Sequence, residues 1–325
     1  SACARSSPAR LCTASSSRTL LLFGPTASGK TALLSELFLG NRGSGLPQAE
    51  VVSADSMQVY RGLDIGTAKP DAGLLENLPH HLIDIRDPSE QYTAGDFVRE
   101  ADRACDEIRS RGRLPVISGG TAFYLKNFVY GLPDSPPADA RIRSEVERDL
   151  RLRGPEALRA ELEAGDPESA GRIHARDLYR LTRAVEVLRL TGRPLSSFEV
   201  PAGPRAEHDL LLIALDRPRE ELYARIDARV DAMFESGLAG EVRGLLAAGY
   251  GDADPGMQAI GYREFLEARR TGCARLRDVR DRIALDTRRY AKRQLAFFHT
   301  LPGVEWFSAE DAEGVRGRIR EWVNK

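Results

Sequence analysis

Residues Gly24 to Thr31, GPTASGKT, fit the pattern G-x-x-x-x-G-K-[ST] and have the chemistry of a phosphate grip. In such a loop (Gly24, Thr26, Ala27, Ser28, Gly29) backbone N–H groups face an anion, Lys30 reaches the outer phosphates, and the Thr31 hydroxyl ligates Mg²⁺. Average residue usage produces such a match by chance only on the order of once in a hundred chains of this size, so it carries weight. The default occupant of the loop is ATP. The apparatus of a nucleotide hydrolase is missing, however, because the run LPVISGGT ends in Ser118, Gly119, Gly120 and Thr121 rather than in a second-metal Asp. LLLIALD, ending at Asp216, imitates that pattern but precedes Arg217 and Pro218.

Asp55 is the other residue with chemical promise. It closes an apolar run from Val51 and heads a polar loop of Ser56, Met57 and Gln58. At the end of a strand beside the phosphate-loop strand, its carboxylate could take a proton from a nucleophile in line with bound phosphates. An isolated Asp in such a place is otherwise an Asx-turn or a helix cap. From the residues alone, a small-molecule kinase with a phosphate loop stays open.

These groups need a scaffold. Thr19–Phe23 reads as the strand feeding the loop, and Thr31–Leu39 as the helix leaving it, with Leu33, Leu34, Leu37 and Phe38 on one side. Similar runs recur at Val51–Ser53, Leu82–Ile85, Leu114–Ser118, Leu210–Leu215 and Val304–Phe307, with helices such as Phe97–Arg109 between them. The alternation predicts a P-loop NTPase-like α/β fold, a parallel sheet flanked by helices, with its ligand site where Gly24, Asp55 and Gly119 gather at the carboxyl edge. Residues 132–205 open with LPDSPPAD, close with VPAGPR and contain no convincing strand. They read as a helical insertion in a core made of residues 19–131 and 206–325. Its clearest helix, RDLYRLTRAVEVLRLTG, should turn Leu178, Leu181, Val185 and Leu188 inward and present Arg176, Arg180 and Arg183 together on another face.

Net charge is −1, but residues 263–293 carry eleven basic side chains against five acidic, whereas residues 50–107 carry thirteen acids against five bases. The two stretches offer fields of opposite sign, and the basic one suits a polyanion as well as it suits a solvated helix face. Cys3, Cys12, Cys105 and Cys273 form no C-x-x-C pair, which points to a reducing compartment and no structural zinc. The apolar run Leu20–Phe23 is far too short to span a membrane. Residues 1–18, rich in Ser and Arg and without an acid, should be a flexible leader. A transit peptide has the same composition, so a cytoplasmic location is expected with organellar targeting open.

Taken together, GPTASGKT, SADSMQVYRGLDIGTAKP, HHLIDIRDPSEQYTAGDF and SGGTAFYLKNFVYGL resemble the tRNA dimethylallyltransferase family, also called tRNA isopentenyltransferases, in order and spacing. RIHARDLYRLTRAVEV, AIGYREF and TRRYAKRQLAFF extend the likeness over essentially all of residues 20–307. The chain stops at Lys325 without the Cys and His pairs of eukaryotic zinc-finger extensions, so the bacterial type is the one resembled.

The resemblance implies that the loop holds the diphosphate of dimethylallyl diphosphate with Mg²⁺, and that the prenyl group goes to N6 of adenosine 37 in a tRNA anticodon loop. Asp55 then matches the general base, Thr121 a hydroxyl in the reaction channel, and Lys30 with Arg180 and Arg229 the diphosphate contacts. The tRNA contacts implied are Asp55, Ser56, Met57, Gln58, Thr121, Arg143, Tyr179, Arg180, Arg183, Gln258, Gly261, Tyr262, Arg263, Lys292, Arg293 and Gln294. Thr121 equally suits a turn, and Arg229 a solvated helix. Tyr290, Phe297 and Phe298 suit base stacking or a core. A small-molecule kinase using ATP is the main alternative and a prenyltransferase of free adenine nucleotides a third reading, and a monomer without membrane attachment is expected.

Overall fold

Five short apolar runs and the pair His80–His81 form one parallel six-stranded sheet, in the order His80–His81, Ala49–Ala54, Leu114–Gly119, Arg18–Phe23, Asp209–Asp216 and Glu305–Ser308, with amphipathic helices between them along the chain. The computed structural model describes residues 17–39, 45–199, 201–272 and 275–325, so the expected leader lies almost wholly outside the described residues. Along the chain come β1 (Arg18–Phe23), α1 (Lys30–Phe38), β2 (Ala49–Ala54), α2 (Ala72–Asn77), β3 (His80–His81), α3 (Ala94–Ser110), β4 (Leu114–Gly119) and α4 (Ala122–Tyr130). Next are α5 (Ala140–Gly165), α6 (Pro167–Arg172) and α7 (Leu178–Thr191), then β5 (Asp209–Asp216), α8 (Arg219–Glu235), α9 (Leu238–Ala247), α10 (Arg263–Thr271), α11 (Leu276–Phe298), β6 (Glu305–Ser308) and α12 (Ala312–Val323). Leu20, Leu21, Leu22 and Phe23 are all fully buried, the continuous apolar run of a central parallel strand covered on both faces.

Two compact units divide the chain: Ser1–Val129 with Ala206–Lys325, and Tyr130–Arg205. The first holds the whole sheet. On one of its faces α1 and α12 supply Leu33, Leu34, Leu37, Val315, Ile319 and Trp322 to a core with the β-strand side chains. At the end of the sheet remote from the phosphate loop, Glu50 is buried among Arg111, Arg113 and His81. Their hydrogen bonds outweigh its burial and hold its carboxyl down at about 2, so it is ionised at neutral pH.

Two expectations for the sheet change. The run Leu82–Ile85 is not a strand; β3 ends at His81, and Leu82 and Asp84 adopt left-handed φ of 65° and 57°. The chain turns there because it pairs with the preceding loop instead: Asp84 N–H donates to the Gln58 carbonyl (3.1 Å) and Arg86 N–H to that of Val59 (2.8 Å). Lys69, nearly buried, locks the turn by bonding the Tyr60 carbonyl and the Asp64 and Asp84 carboxylates. Nor is β2 beside β1, since β4 lies between them. The separation is bridged by the glycines that end β4. A Cβ on Gly119 would sit 2.2 Å from the Ala54 carbonyl oxygen, so only glycine lets the ends of β2 and β4 close together.

The second unit is helical. Ile142, Val146, Leu158, Leu162, Leu181, Ala184 and Val185 make its core, and α5 is broken at Gly154, where φ is 81° just before Pro155. Leu178, expected inward, is 40% exposed, because it is the first helical residue of α7 and packing begins one turn later at Leu181. The arginines do not share one face either. Arg176 precedes the helix, whose cap is Asp177. Arg183 is drawn down to Glu186 and the Pro136 carbonyl, while Arg180 stays exposed beside Asp177.

Candidate active site

The phosphate loop owes its shape to left-handed residues that bring its amides inward. Ala27 has φ 62° and Gly29 φ 105°, and Gly29 precedes α1 without any side-chain cap. With no acid in its first turn, α1 leaves its first N–H groups and the positive end of its dipole for an anion. Two of the loop amides are occupied: Ser28 N–H donates to the Pro25 carbonyl (3.1 Å) and Thr26 N–H to Gln294 Oε1 (2.9 Å). Outside the loop, Arg225 donates to the Ala27 carbonyl (3.0 Å) and Arg217 to that of Ser28 (3.3 Å), which fixes the peptide planes with their N–H groups turned the other way. The Ser28 hydroxyl is buried without a hydrogen-bond partner. Such an orphan costs about 1–3 kcal/mol, a cost accepted for loop geometry.

Lys30 folds back on the loop, its ammonium donating to the carbonyls of Gly24 (2.9 Å) and Pro25 (2.8 Å). The residue as a whole is half-buried, but its nitrogen points inward. Burial and then the nearby Arg229 charge push its pKa down to about 7, with Asp55 pulling the other way. Arg229 is also lowered by burial and supported by Asp55. Lys30, Asp55 and Arg229 therefore form one electrostatic group. They line a single cleft of about 820 Å³ at the carboxyl edge of the sheet, together with Thr31, Ser118, Gly119 and Gly120. Strand ends of β1, β2 and β4 meet there, as open parallel sheets arrange their ligand sites.

Asp55 makes an Asx-turn. Its Oδ1 accepts from the N–H groups of Met57 (2.9 Å) and Gln58 (3.3 Å), while Oδ2 has no protein partner among the described residues. The turn and a free oxygen coexist, so the two sequence readings of Asp55 are compatible. Thr121, entering α4, accepts from Ser56 N–H (3.0 Å), and its own N–H donates to the Ala54 carbonyl (3.1 Å). Burial beside the Asp55 charge pushes the Tyr290 hydroxyl up to about 12, with Thr121, Arg293 and Gln294 pulling the other way. The arrangement places an acceptor for a proton and a cationic pocket for phosphates in one cleft that also carries the apolar side chains of Ile226, Val230, Met233 and Ile260.

The family model for IPP transferase matches residues 58–301. The chain belongs to the IPP transferase family. It is 45% identical to the tRNA dimethylallyltransferase of Geobacter sulfurreducens over 293 residues, covering 90% of this chain and 92% of that one. The Halorhodospira halophila enzyme of the same name is also 45% identical, over 90% and 93% of the two chains. Among solved structures, the tRNA isopentenylpyrophosphate transferase of Bacillus halodurans superposes with TM-score 0.64 at 36% identity, over 95% of this chain and 98% of that one. A eukaryotic dimethylallyltransferase acting on tRNA superposes with TM-score 0.73 at 27% identity, over 91% and 75%. The P-loop NTPase-like fold expected from the strand and helix alternation is the fold of this family.

Within this member of the family, the residues matched to RNA contacts fall into different environments. Ser56, Met57, Gln58, Gln258, Arg263 and Arg293 line the cleft, and Lys292 is exposed beside Arg293 on α11. Tyr179 (59% exposed) and Arg180 stand out from the first turn of α7 in the helical unit, where Arg143 pairs with Glu186 at 3.6 Å. Three others turn inward. Tyr262 is fully buried, bonded to Glu241 (2.5 Å) and to Gly66 N–H (3.1 Å), so it supports the 63–67 loop rather than offering a surface. Gly261 is buried beside it with φ 103°. Gln294, 3% exposed, spends its amide on Gly120 O (2.6 Å) and Thr26 N, clipping β4 to the phosphate loop. A Cβ on Gly120 would meet that amide at 2.4 Å, which is why glycine stands there. Arg217 and Arg225 do not stand out in the sequence; the available signal is the end of β5, the strand adjoining β1, where Arg217 follows Asp216.

No helix among the described residues is long and apolar enough to cross a membrane.

Proposed function

We infer that the chain transfers a dimethylallyl group from dimethylallyl diphosphate to N6 of adenosine 37 in a tRNA anticodon loop, releasing pyrophosphate. The observation that carries this reading is the shared cleft: Asp55 with a free carboxylate oxygen, Lys30 and Arg229 around one space that also carries apolar side chains. The relatives named for this activity on tRNA agree with it. In the reaction the N6 lone pair attacks the first carbon of the prenyl group, the bond from that carbon to the diphosphate oxygen breaks, and the departing N6 proton goes to Asp55. Lys30 and Arg229 stabilise the charge that grows on the leaving pyrophosphate, as preorganised cations do. Thr121 and Ser56 fix the wall against which the base lies. An adenine in an RNA loop must leave its stack to reach such a cleft.

Mg²⁺ fits the donors present. Thr31 and Asp55 line the cleft with hard oxygen atoms, and no group of three or more His, Cys, Asp or Glu is placed to hold a metal among the described residues. One or two protein oxygens plus substrate phosphates is the usual Mg²⁺ arrangement. Thr31 would hold the ion together with the substrate's phosphate oxygens, and the ion would supply charge neutralisation for the leaving group.

Lys292 and Arg293 on α11, with Tyr179 and Arg180 on α7, are the exposed groups assigned to the RNA. An enzyme acting on AMP would not need them. Replacing Lys292 and Arg293 together by alanine is expected to flatten the fall of stem-loop affinity with salt, by about 0.7 to 0.9 in the log-log slope for each phosphate no longer neutralised. Diphosphate affinity should change much less. An unchanged slope, with AMP prenylated as readily as an anticodon stem-loop, would replace tRNA by a free nucleotide.

A further inference from the structure

Helix α8 carries Arg225, Arg229 and Met233 at intervals of four residues, and all three line the cleft. Such spacing puts them in a row on one helix face. Arg225 is anchored on the Ala27 carbonyl, so the row starts at the phosphate loop and runs away from it, by about 6 Å for each step. Charge therefore comes first and hydrocarbon last: beyond Arg229 the helix offers Val230 and Met233. A second cavity of about 530 Å³ adjoins the cleft and is also lined by Met233. Ala68, Pro70, Arg229 and Met233 line both spaces and so form the wall between them. Ile65, Leu75 and Ile83, half-buried, give the second cavity its apolar surface, while Lys69, paired with Asp64 and Asp84, makes another side polar, and Asp64, Asp71 and Asp84 are exposed.

We propose that Met233 closes the hydrocarbon end of the donor site and limits the donor to a single isoprene unit, the cavity behind it being able to take the next unit of a longer prenyl diphosphate. The inference rests on the reading of the cleft as a prenyl diphosphate site. Of the four wall residues, Ala68 and Pro70 have little side chain to shorten, and Arg229 belongs to the diphosphate site. Met233 alone is a long uncharged side chain, only half-buried, whose truncation would join the two spaces. Pocket walls discriminate a single methylene by about 10- to 200-fold, so a whole isoprene unit meeting the methionine is excluded strongly.

The test is calorimetric binding of dimethylallyl and geranyl diphosphates, each with Mg²⁺ and without RNA, to the full chain and to Met233→Ala, Met233→Val and Met233→Leu. The affinity ratio of geranyl to dimethylallyl diphosphate should rise at least about tenfold in Met233→Ala, by analogy with one or more methylenes released. Met233→Val should rise less and Met233→Leu should stay at the unaltered ratio; if the alanine variant melts early, the valine and leucine pair decides. An unchanged ratio in the truncated variants, or an unaltered chain that already binds both donors equally, overturns the proposal. Transfer of either prenyl group to an anticodon stem-loop is followed in parallel by mass. A shifted binding ratio without transfer would count against the tRNA reading and still uphold the gate.

Discussion

Asp55→Asn will lower prenyl transfer by about 10² to 10⁴, the usual contribution of a general base, while tRNA and diphosphate still bind. Asparagine can keep the Asx-turn, because its carbonyl can accept from Met57 and Gln58 as Oδ1 does. It cannot accept a proton from an exocyclic amine whose nitrogen is forming a bond to carbon. Single-turnover rates at saturating substrate separate the chemical step from binding. If the asparagine variant, folded as judged by its melting temperature, turned over at a near-normal rate, Asp55 would be a structural turn residue only.

Lys30→Met should cost about 10² to 10³ in turnover, as loss of one preorganised donor to a developing oxyanion does. Its pH behaviour adds a second signature. In the free protein the lysine is held at about 7 by burial and by Arg229, with Asp55 as its opposing charge. A bound diphosphate brings negative charge and favours the ammonium, so binding takes up a proton whenever Lys30 starts neutral. Below pH 7 the group is already charged and donor affinity is flat with respect to it. Above pH 7 affinity should fall, by up to about tenfold per pH unit, until the pKa of the bound state is reached. The methionine variant should lose that limb. Donor affinity measured from pH 6 to pH 9 checks this, and an identical slope in both proteins would remove Lys30 from the phosphate contacts.

The sequence made the phosphate loop legible because its chemistry is local: the glycines, Lys30 and Thr31 act through backbone geometry that eight consecutive residues specify. Strand and helix alternation likewise carries the parallel sheet. What was not legible depends on contacts across the fold. Gly119 admits the close approach of Ala54 at the end of β2, and Gly120 that of the Gln294 amide, but two glycines in a run do not announce which neighbours they admit. The Leu82–Ile85 run has strand composition, yet Lys69 and the 58–60 backbone bend it into a turn. Helical periodicity marks Tyr262 and Gln294 as members of helical or RNA-matching segments without telling which way they point. The structure turns both inward, where they fix the 63–67 loop and the phosphate loop. Arg217 and Arg225 escape notice for the same reason, since their partners are carbonyls of residues almost two hundred positions away.

The most direct measurement is to incubate the full chain with Mg²⁺, dimethylallyl diphosphate and tRNA lacking the modification, then digest the RNA and weigh its nucleosides. An isopentenyl adenosine from the anticodon loop is the expected product, formed without ATP and absent when the diphosphate is withheld. A tRNA recovered unmodified, with ATP instead hydrolysed or its phosphate passed to a small acceptor, would contradict prenyl transfer.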